Sequence, residues 1–211
     1  MDGGPPERAH RTSGMANLPG LRKRIGNRLS KPLVGALRRS RVSPNMLTVA
    51  GTVITLVAAW LASDGRFFAA GIVLFVAALC DLTDGALARA TGHFSSFGAI
   101  LDSTSDRVSE ALLLGGLSLW FVKTGNMNGA LVCYVALVSS FLVSYLRARA
   151  EGLGLECSVG LCTRPERAIV FTLGLLTGLV FVAVCIVAFF ASVTVIERLV
   201  YLWRKGKETR I

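Results

Sequence analysis

Four aspartates, Asp81, Asp84, Asp102 and Asp106, fall within 26 residues of one another as two pairs. Positions three and four apart share a helix face, so Asp81 joins Asp84 and Asp102 joins Asp106. The short polar turn Thr91-Gly92-His93-Phe94-Ser95-Ser96 separates the pairs. If the flanking helices fold back as an antiparallel hairpin, both pairs converge. Four carboxylates that close repel one another and take up protons unless a cation holds them, and oxygen-only donors select hard ions such as Mg²⁺ or Mn²⁺. Two such ions bridge the phosphates of a nucleotide diphosphate and leave one carboxylate to take a proton from an attacking hydroxyl. The chemistry this predicts is phosphoryl-group transfer.

Small and basic residues surround the carboxylates. Gly85 and Ala88 follow the first pair by one turn, and Gly98 precedes Asp102 by one turn on the same face. Short side chains there either let a ligand approach the helix backbone or let two membrane helices pack closely. Arg89 has the planar fork that clamps a phosphate. His10 and His93 have no second histidine or cysteine at ligand spacing, which speaks against zinc. Cys80, Cys133, Cys157, Cys162 and Cys185 lack CxxC spacing and read as small buried thiols.

The elements that must position these groups are membrane helices. With 53% hydrophobic and 17% charged residues, the chain is too apolar for a water-soluble surface. A crossing needs roughly 20 apolar residues. Residues 46–63 supply one without a charge, and 67–80 reach crossing length only by continuing through Asp81, Asp84 and Arg89. A third span starts near Phe97 with Asp102, Asp106, Arg107 and Glu110 in its opening turns, and a fourth covers 129–146. The last apolar run, 168–203, is 36 residues long, about 54 Å as helix, which fits two spans better than one.

The predicted fold is therefore all-α and integral to the membrane, with six transmembrane helices preceded by an amphipathic juxtamembrane helix. Residues 1–17 form a tail without the apolar core of a signal peptide. Residues 18–42 form the interfacial helix, with Leu21, Ile25, Leu29, Leu33 and Leu37 at helical spacing among Arg and Lys. Residues 43–203 form the catalytic domain, and 204–211 a basic cytoplasmic tail. The net charge of +10 includes 10 of the 23 Lys and Arg within the first 41 residues, a pattern for an anionic membrane surface rather than for nucleic acid. Basic residues in short loops place both termini, and the four aspartates, at the cytoplasmic face of the inner membrane. That one-sided placement also argues against a cation pathway, which needs ionisable groups through the depth of the bilayer.

The spacing Asp81-x-x-Asp84-Gly85-x-x-Ala88-Arg89, eight residues, Gly98, three residues, Asp102, three residues, Asp106 resembles the complete signature of the CDP-alcohol phosphatidyltransferases at every fixed position and gap. The resemblance implies a six-helix membrane enzyme, usually a homodimer, that transfers the phosphatidyl group of a CDP-lipid such as CDP-diacylglycerol to an alcohol and releases CMP. By it, Asp81, Asp84 and Asp102 are metal ligands, and Asp106 binds metal and acts as general base. Asp84, Gly85, Ala88, Arg89 and Gly98 border the cytidine nucleotide.

The acceptor is read outside the signature, from Tyr145-Leu146-Arg147-Ala148-Arg149-Ala150-Glu151, from Arg164-Pro165-Glu166-Arg167, and from Arg198, a cation inside the last apolar run. These basic residues either anchor the chain at the cytoplasmic face or form a pocket for a phosphorylated alcohol. The segment resembles the branch of the family that makes phosphatidylinositol phosphate or archaetidylinositol phosphate, which implies that Arg147, Arg167 and Arg198 contact the phosphate of inositol 1-phosphate. Arg147 stands where that branch commonly has Lys, which keeps the charge and changes the geometry. Glycerol 3-phosphate is the nearest competing acceptor, with serine and free inositol behind it.

Overall fold

The computed structural model describes residues 43–91, 95–157 and 159–208, of which 85, 89, 90, 91 and 208 are described by their backbone alone. The tail and interfacial helix expected over 1–42 lie outside the described residues. The described residues form six helices: α1 (Pro44–Ser63), α2 (Phe67–Thr91), α3 (Ser96–Lys123), α4 (Met127–Gly152), α5 (Arg164–Thr177) and α6 (Val180–Glu208).

Local chemistry sets their ends. Ser43 caps α1 by accepting the Met46 N–H at 3.3 Å, with Pro44 entering the first turn, where its missing N–H is not needed. Ser95 caps α3 by accepting the Gly98 N–H at 2.9 Å, and Asn126 caps α4 through Gly129 at 2.9 Å. The long apolar run breaks at Gly178, whose φ of 76° closes α5 in the left-handed conformation that glycine adopts without a Cβ clash. α2 continues unbroken through Asp81 and Asp84 to Thr91, as its crossing length requires. α6 likewise runs on through Lys205 and Lys207 to Glu208, so Arg204, Lys205 and Lys207 extend a helix.

The chain is a multi-pass membrane protein. α1, α2, α4 and α6 are each long and apolar enough to cross a bilayer. α3 is long, at 28 residues, but charged in its opening turns. α5 has 14 residues, about 21 Å of helix against roughly 30 Å of hydrocarbon. Large apolar side chains point outward, among them Trp60, Phe68, Phe189 and Trp203, while Ala58, Ala62, Ala70, Ala136 and Ala191 are fully buried. This distribution suits lipid, which solvates large apolar groups as well as a core does and leaves small residues to bring helices together.

α1 packs against both α2 and α3, α4 against α3 and α6, and α5 against α2 and α6. α1 and α3 approach closely at Gly116, where a Cβ would lie 3.0 Å from Ala59 Cα and 2.9 Å from its carbonyl carbon. Gly116→Leu would have to push α1 off α3, at a cost of about 2–3 kcal/mol. A drop in the thermal midpoint of the detergent-solubilised protein, followed by size-exclusion fluorescence, checks this, and Gly115→Leu, which meets nothing within 4 Å, should leave it unchanged.

Candidate active site

The carboxylates reach their positions through α1. Thr48 donates its hydroxyl to Asp84 Oδ2 at 2.7 Å, tying α1 to α2, and Ser109 of α3 donates to Thr52 of α1 at 3.4 Å. At the start of α3, a Cβ on Gly98 would meet Asn45 Oδ1 of α1 at 3.1 Å. The simple hairpin in which α2 and α3 pack along each other is replaced by two helices that share α1 as a common support. Their charged ends nevertheless meet: carboxylate oxygens of Asp81, Asp102 and Asp106 all lie within 4.8 Å of one another.

α5 completes the cluster from the other side. Its first residue, Arg164, donates Nη1 to Asp81 Oδ2 at 2.8 Å and brings Nη2 to 2.7 Å from Asp106 Oδ1. The second contact is one of charge alone, because Asp106 Oδ1 is buried without a hydrogen bond. One turn on, Arg167 is 2% exposed and forks onto Glu110 of α3, with Nε to Oε1 at 2.6 Å and Nη2 to Oε2 at 2.8 Å, while Nη1 donates to the Cys162 carbonyl at 3.1 Å. Thr163, just before α5, donates its hydroxyl to Glu166.

Beside the cluster opens a cavity of about 350 Å³ whose lining includes Asp106 and the guanidinium groups of Arg107, Arg147, Arg164, Arg167 and Arg198. Arg198 is 3% exposed and is held by the carbonyls of Val159, at 2.9 Å, and Val143. Arg147 is exposed and bound to Glu151 one turn along its own helix at 2.9 Å. A larger apolar groove of about 540 Å³ runs beside Trp60, Leu112 and Phe141, but with no ionisable group in its lining it has no chemistry to offer.

Of the residues singled out from sequence, Asp81, Asp102 and Asp106 come together, and Arg147, Arg167 and Arg198 share the adjoining cavity. Asp84 is buried one turn away, with an oxygen engaged by Thr48. Ala88 is half-buried on the next turn of α2. The surroundings of Gly85 and the side chain of Arg89 lie outside the described residues. Gly98 sits where α3 abuts Asn45, so the space its missing side chain leaves is bordered by α1. Sequence reasoning named Arg164 only within the basic segment that could form an acceptor pocket and Glu110 only as a charge in the opening turns of the third span, and it did not name Thr48. Glu110 was within reach, since it follows Asp106 by four residues and shares its face. Arg164 and Thr48 act across elements far apart in the chain and carry no local signal.

The donor set suits a divalent ion. Three carboxylates offer hard oxygen ligands, and the Asp106 oxygen that lacks a hydrogen bond has its remaining coordination to give. Asp81 and Asp106 come from different helices, so an ion between them would tie α2 to α3.

Residues 41–203 match the family model of the CDP-alcohol phosphatidyltransferases. The chain is 40% identical over 168 residues to an archaetidylinositol phosphate synthase of Pyrococcus horikoshii, covering 79% of this chain and 86% of that one. It is also similar, at 31% identity, to crystal structures of phosphatidylinositol phosphate synthase of Mycobacterium tuberculosis. The structure with CDP-DAG bound has a TM-score of 0.76 and coverage of 83% of this chain and 94% of that one. The structure in complex with manganese and citrate has a TM-score of 0.77 and coverage of 82% and 88%.

The Arg167–Glu110 fork yields a stability test. Arg167→Ala leaves a carboxylate that is 11% exposed without its partner, which should cost about 3–5 kcal/mol, whereas replacing both members with apolar residues of similar volume should recover most of the loss. Thermal midpoints of Arg167→Ala, Glu110→Leu and the double variant Arg167→Met with Glu110→Leu read this directly. The single variants should melt lowest.

Proposed function

The chain belongs to the CDP-alcohol phosphatidyltransferase family, and from that premise we propose that it transfers the phosphatidyl group of CDP-diacylglycerol, or a related CDP-lipid, to inositol 1-phosphate. The products are phosphatidylinositol phosphate and CMP. The observation that carries the choice of acceptor is the cavity in which five guanidinium groups stand beside Asp106. A phosphorylated alcohol is the ligand that such a charge density favours over a neutral one. The names of the similar synthases point the same way.

In this reading Asp106 takes the proton from the acceptor hydroxyl, whose oxygen forms a bond to the phosphorus carrying the lipid as the bond from that phosphorus to the CMP oxygen breaks. Asp106 belongs both to the carboxylate cluster and to the lining of the cavity, which supports this role. Arg147, Arg167 and Arg198 bind the acceptor phosphate and so hold the hydroxyl for attack. Asp84, Gly85, Ala88, Arg89 and Gly98 border the nucleotide.

Asp81, Asp84, Asp102 and Asp106 would hold two divalent ions, Mg²⁺ or Mn²⁺, which when bound neutralise charge on the diphosphate and on the transferring group. A similar synthase crystallised in complex with manganese supports the use of a divalent ion. We further propose six crossings, with α3 spanning from its apolar half and α5 seated between its neighbours as a short span. Both termini and the site then face the cytoplasm of the inner membrane, and the enzyme acts as a homodimer.

Purified protein given CDP-diacylglycerol, Mg²⁺ or Mn²⁺ and, in parallel, inositol 1-phosphate, glycerol 3-phosphate, serine or inositol should release CMP fastest with inositol 1-phosphate. Faster release with glycerol 3-phosphate would reassign the acceptor. Asp106→Asn should lower turnover by about 10²–10⁴ while CDP-lipid binding persists, and near-normal turnover would remove it as the base. Arg147→Ala should raise the KM for inositol 1-phosphate without lowering the thermal midpoint, since its salt bridge to Glu151 is exposed and contributes little to stability.

A further inference from the structure

Arg164 differs from the other basic residues of the cavity in what it is bound to. Arg167 is held by Glu110 and the Cys162 carbonyl, and Arg198 by the Val143 and Val159 carbonyls. None of those partners belongs to the carboxylate cluster. Arg164, by contrast, spends both of its terminal nitrogens on Asp81 and Asp106, two of the three groups whose oxygens converge. Its fork spans two helices, with Asp81 on α2 and Asp106 on α3, and reaches them from the first turn of α5.

We propose that Arg164 is a built-in counter-cation of the carboxylate cluster, holding Asp81 and Asp106 together before a divalent ion binds and giving way into the neighbouring cavity when one does. The inference rests on the reading that the carboxylates bind a divalent ion. Without positive charge among them, the three carboxylates would repel and spread. A bidentate guanidinium supplies that charge with the reach to touch two helices at once.

The contact is also built to be exchanged. Only the Asp81 arm is a hydrogen bond, the Asp106 arm being a charge contact that leaves Oδ1 without one. The guanidinium is 36% exposed, so it has space in which to move. An ion ligated by Asp81 and Asp106 competes for the oxygens that Arg164 holds. The displaced group already lines the cavity with Arg107, Arg147, Arg167 and Arg198, so its release adds free positive charge where a phosphate-bearing ligand would sit. Arg164 is thus a positioning residue that links filling of the ion site to the charge of the cavity.

The test is Mn²⁺ binding by metal-stripped, detergent-solubilised protein, read from the electron paramagnetic resonance signal of free Mn²⁺. Arg164→Gln should bind Mn²⁺ about tenfold more tightly than wild type, the size expected when one charged hydrogen-bond contact no longer has to be broken. Arg164→Lys, with one ammonium in place of a fork, should fall between. A merely structural role predicts the opposite sign, so equal or weaker binding by folded Arg164→Gln overturns the inference. A measurement on wild type alone keeps the question open to refutation if that variant does not fold. Phenylglyoxal should modify Arg164 several-fold faster with Mn²⁺ present, by peptide mass spectrometry, while Arg66 in the α1–α2 turn reacts at an unchanged rate. No acceleration at Arg164 overturns the inference. Failure of wild type to bind Mn²⁺ would overturn the ion-site reading and this inference together, whereas binding with Arg164 indifferent to it overturns this inference alone.

Discussion

Three carboxylates whose oxygens lie within 4.8 Å of one another repel, and the half-buried Asp81 and Asp106 are screened less by water than surface carboxylates are. Much of the surrounding architecture answers that repulsion. α5 is placed so that its first turn delivers Arg164 to Asp81 and Asp106, and its second delivers Arg167 to Glu110. The loop before α5 brings the Cys162 carbonyl to Arg167. Remove the acidic cluster, and Arg164 would lose the Asp81 and Asp106 carboxylates that its charge faces.

The second dependency is on α1, which carries no charge. Its contribution is small residues and hydroxyls: Thr48 to Asp84, Thr52 to Ser109, and Ala59 with its backbone exposed to Gly116. Threonine suits this role in a membrane helix, because its hydroxyl bonds back to its own helix or across to a neighbour while its methyl packs like alanine. α1 thereby fixes the separation of α2 and α3, and with it the spacing of carboxylates that those helices carry. The distance between the charged groups is set by uncharged packing.

How far this could be read from the sequence depends on the range of the interaction. The continuation of α2 through its aspartates and the division of the long apolar run into two helices appear as expected, and the cap at Ser43 and the break at Gly178 follow from local chemistry. The convergence of Asp81, Asp102 and Asp106 was legible because helical periodicity and a short turn restrict where they point. The role of α1 as the shared support, and the tie between Arg164 and Asp81, 83 positions away, were not. They depend on which faces of several helices meet, and those faces mix small residues with the same leucine, valine and phenylalanine that face outward, which gives a weak pattern. Crossing number is ambiguous for a related reason: α3 mixes a charged half with an apolar one, and α5 is short, so length and hydropathy alone do not classify them.

The cavity's arginines divide into two kinds, and the division bears on how an acceptor phosphate would be recognised. Arg167 and Arg198 are almost fully buried and already bonded on several sides, so their conformational entropy is spent in folding and not at binding. A phosphate meeting them meets fixed donors, at the cost of sharing Arg167 with Glu110. Arg147 is exposed and bound only to Glu151 on its own helix, so it can follow the ligand. Fixed groups select shape, and the adaptable one supplies charge over a range of positions. Lysine in place of Arg147 would keep that second property. An exchange of arginine for lysine at this position would therefore keep the charge and alter the geometry of one adaptable contact.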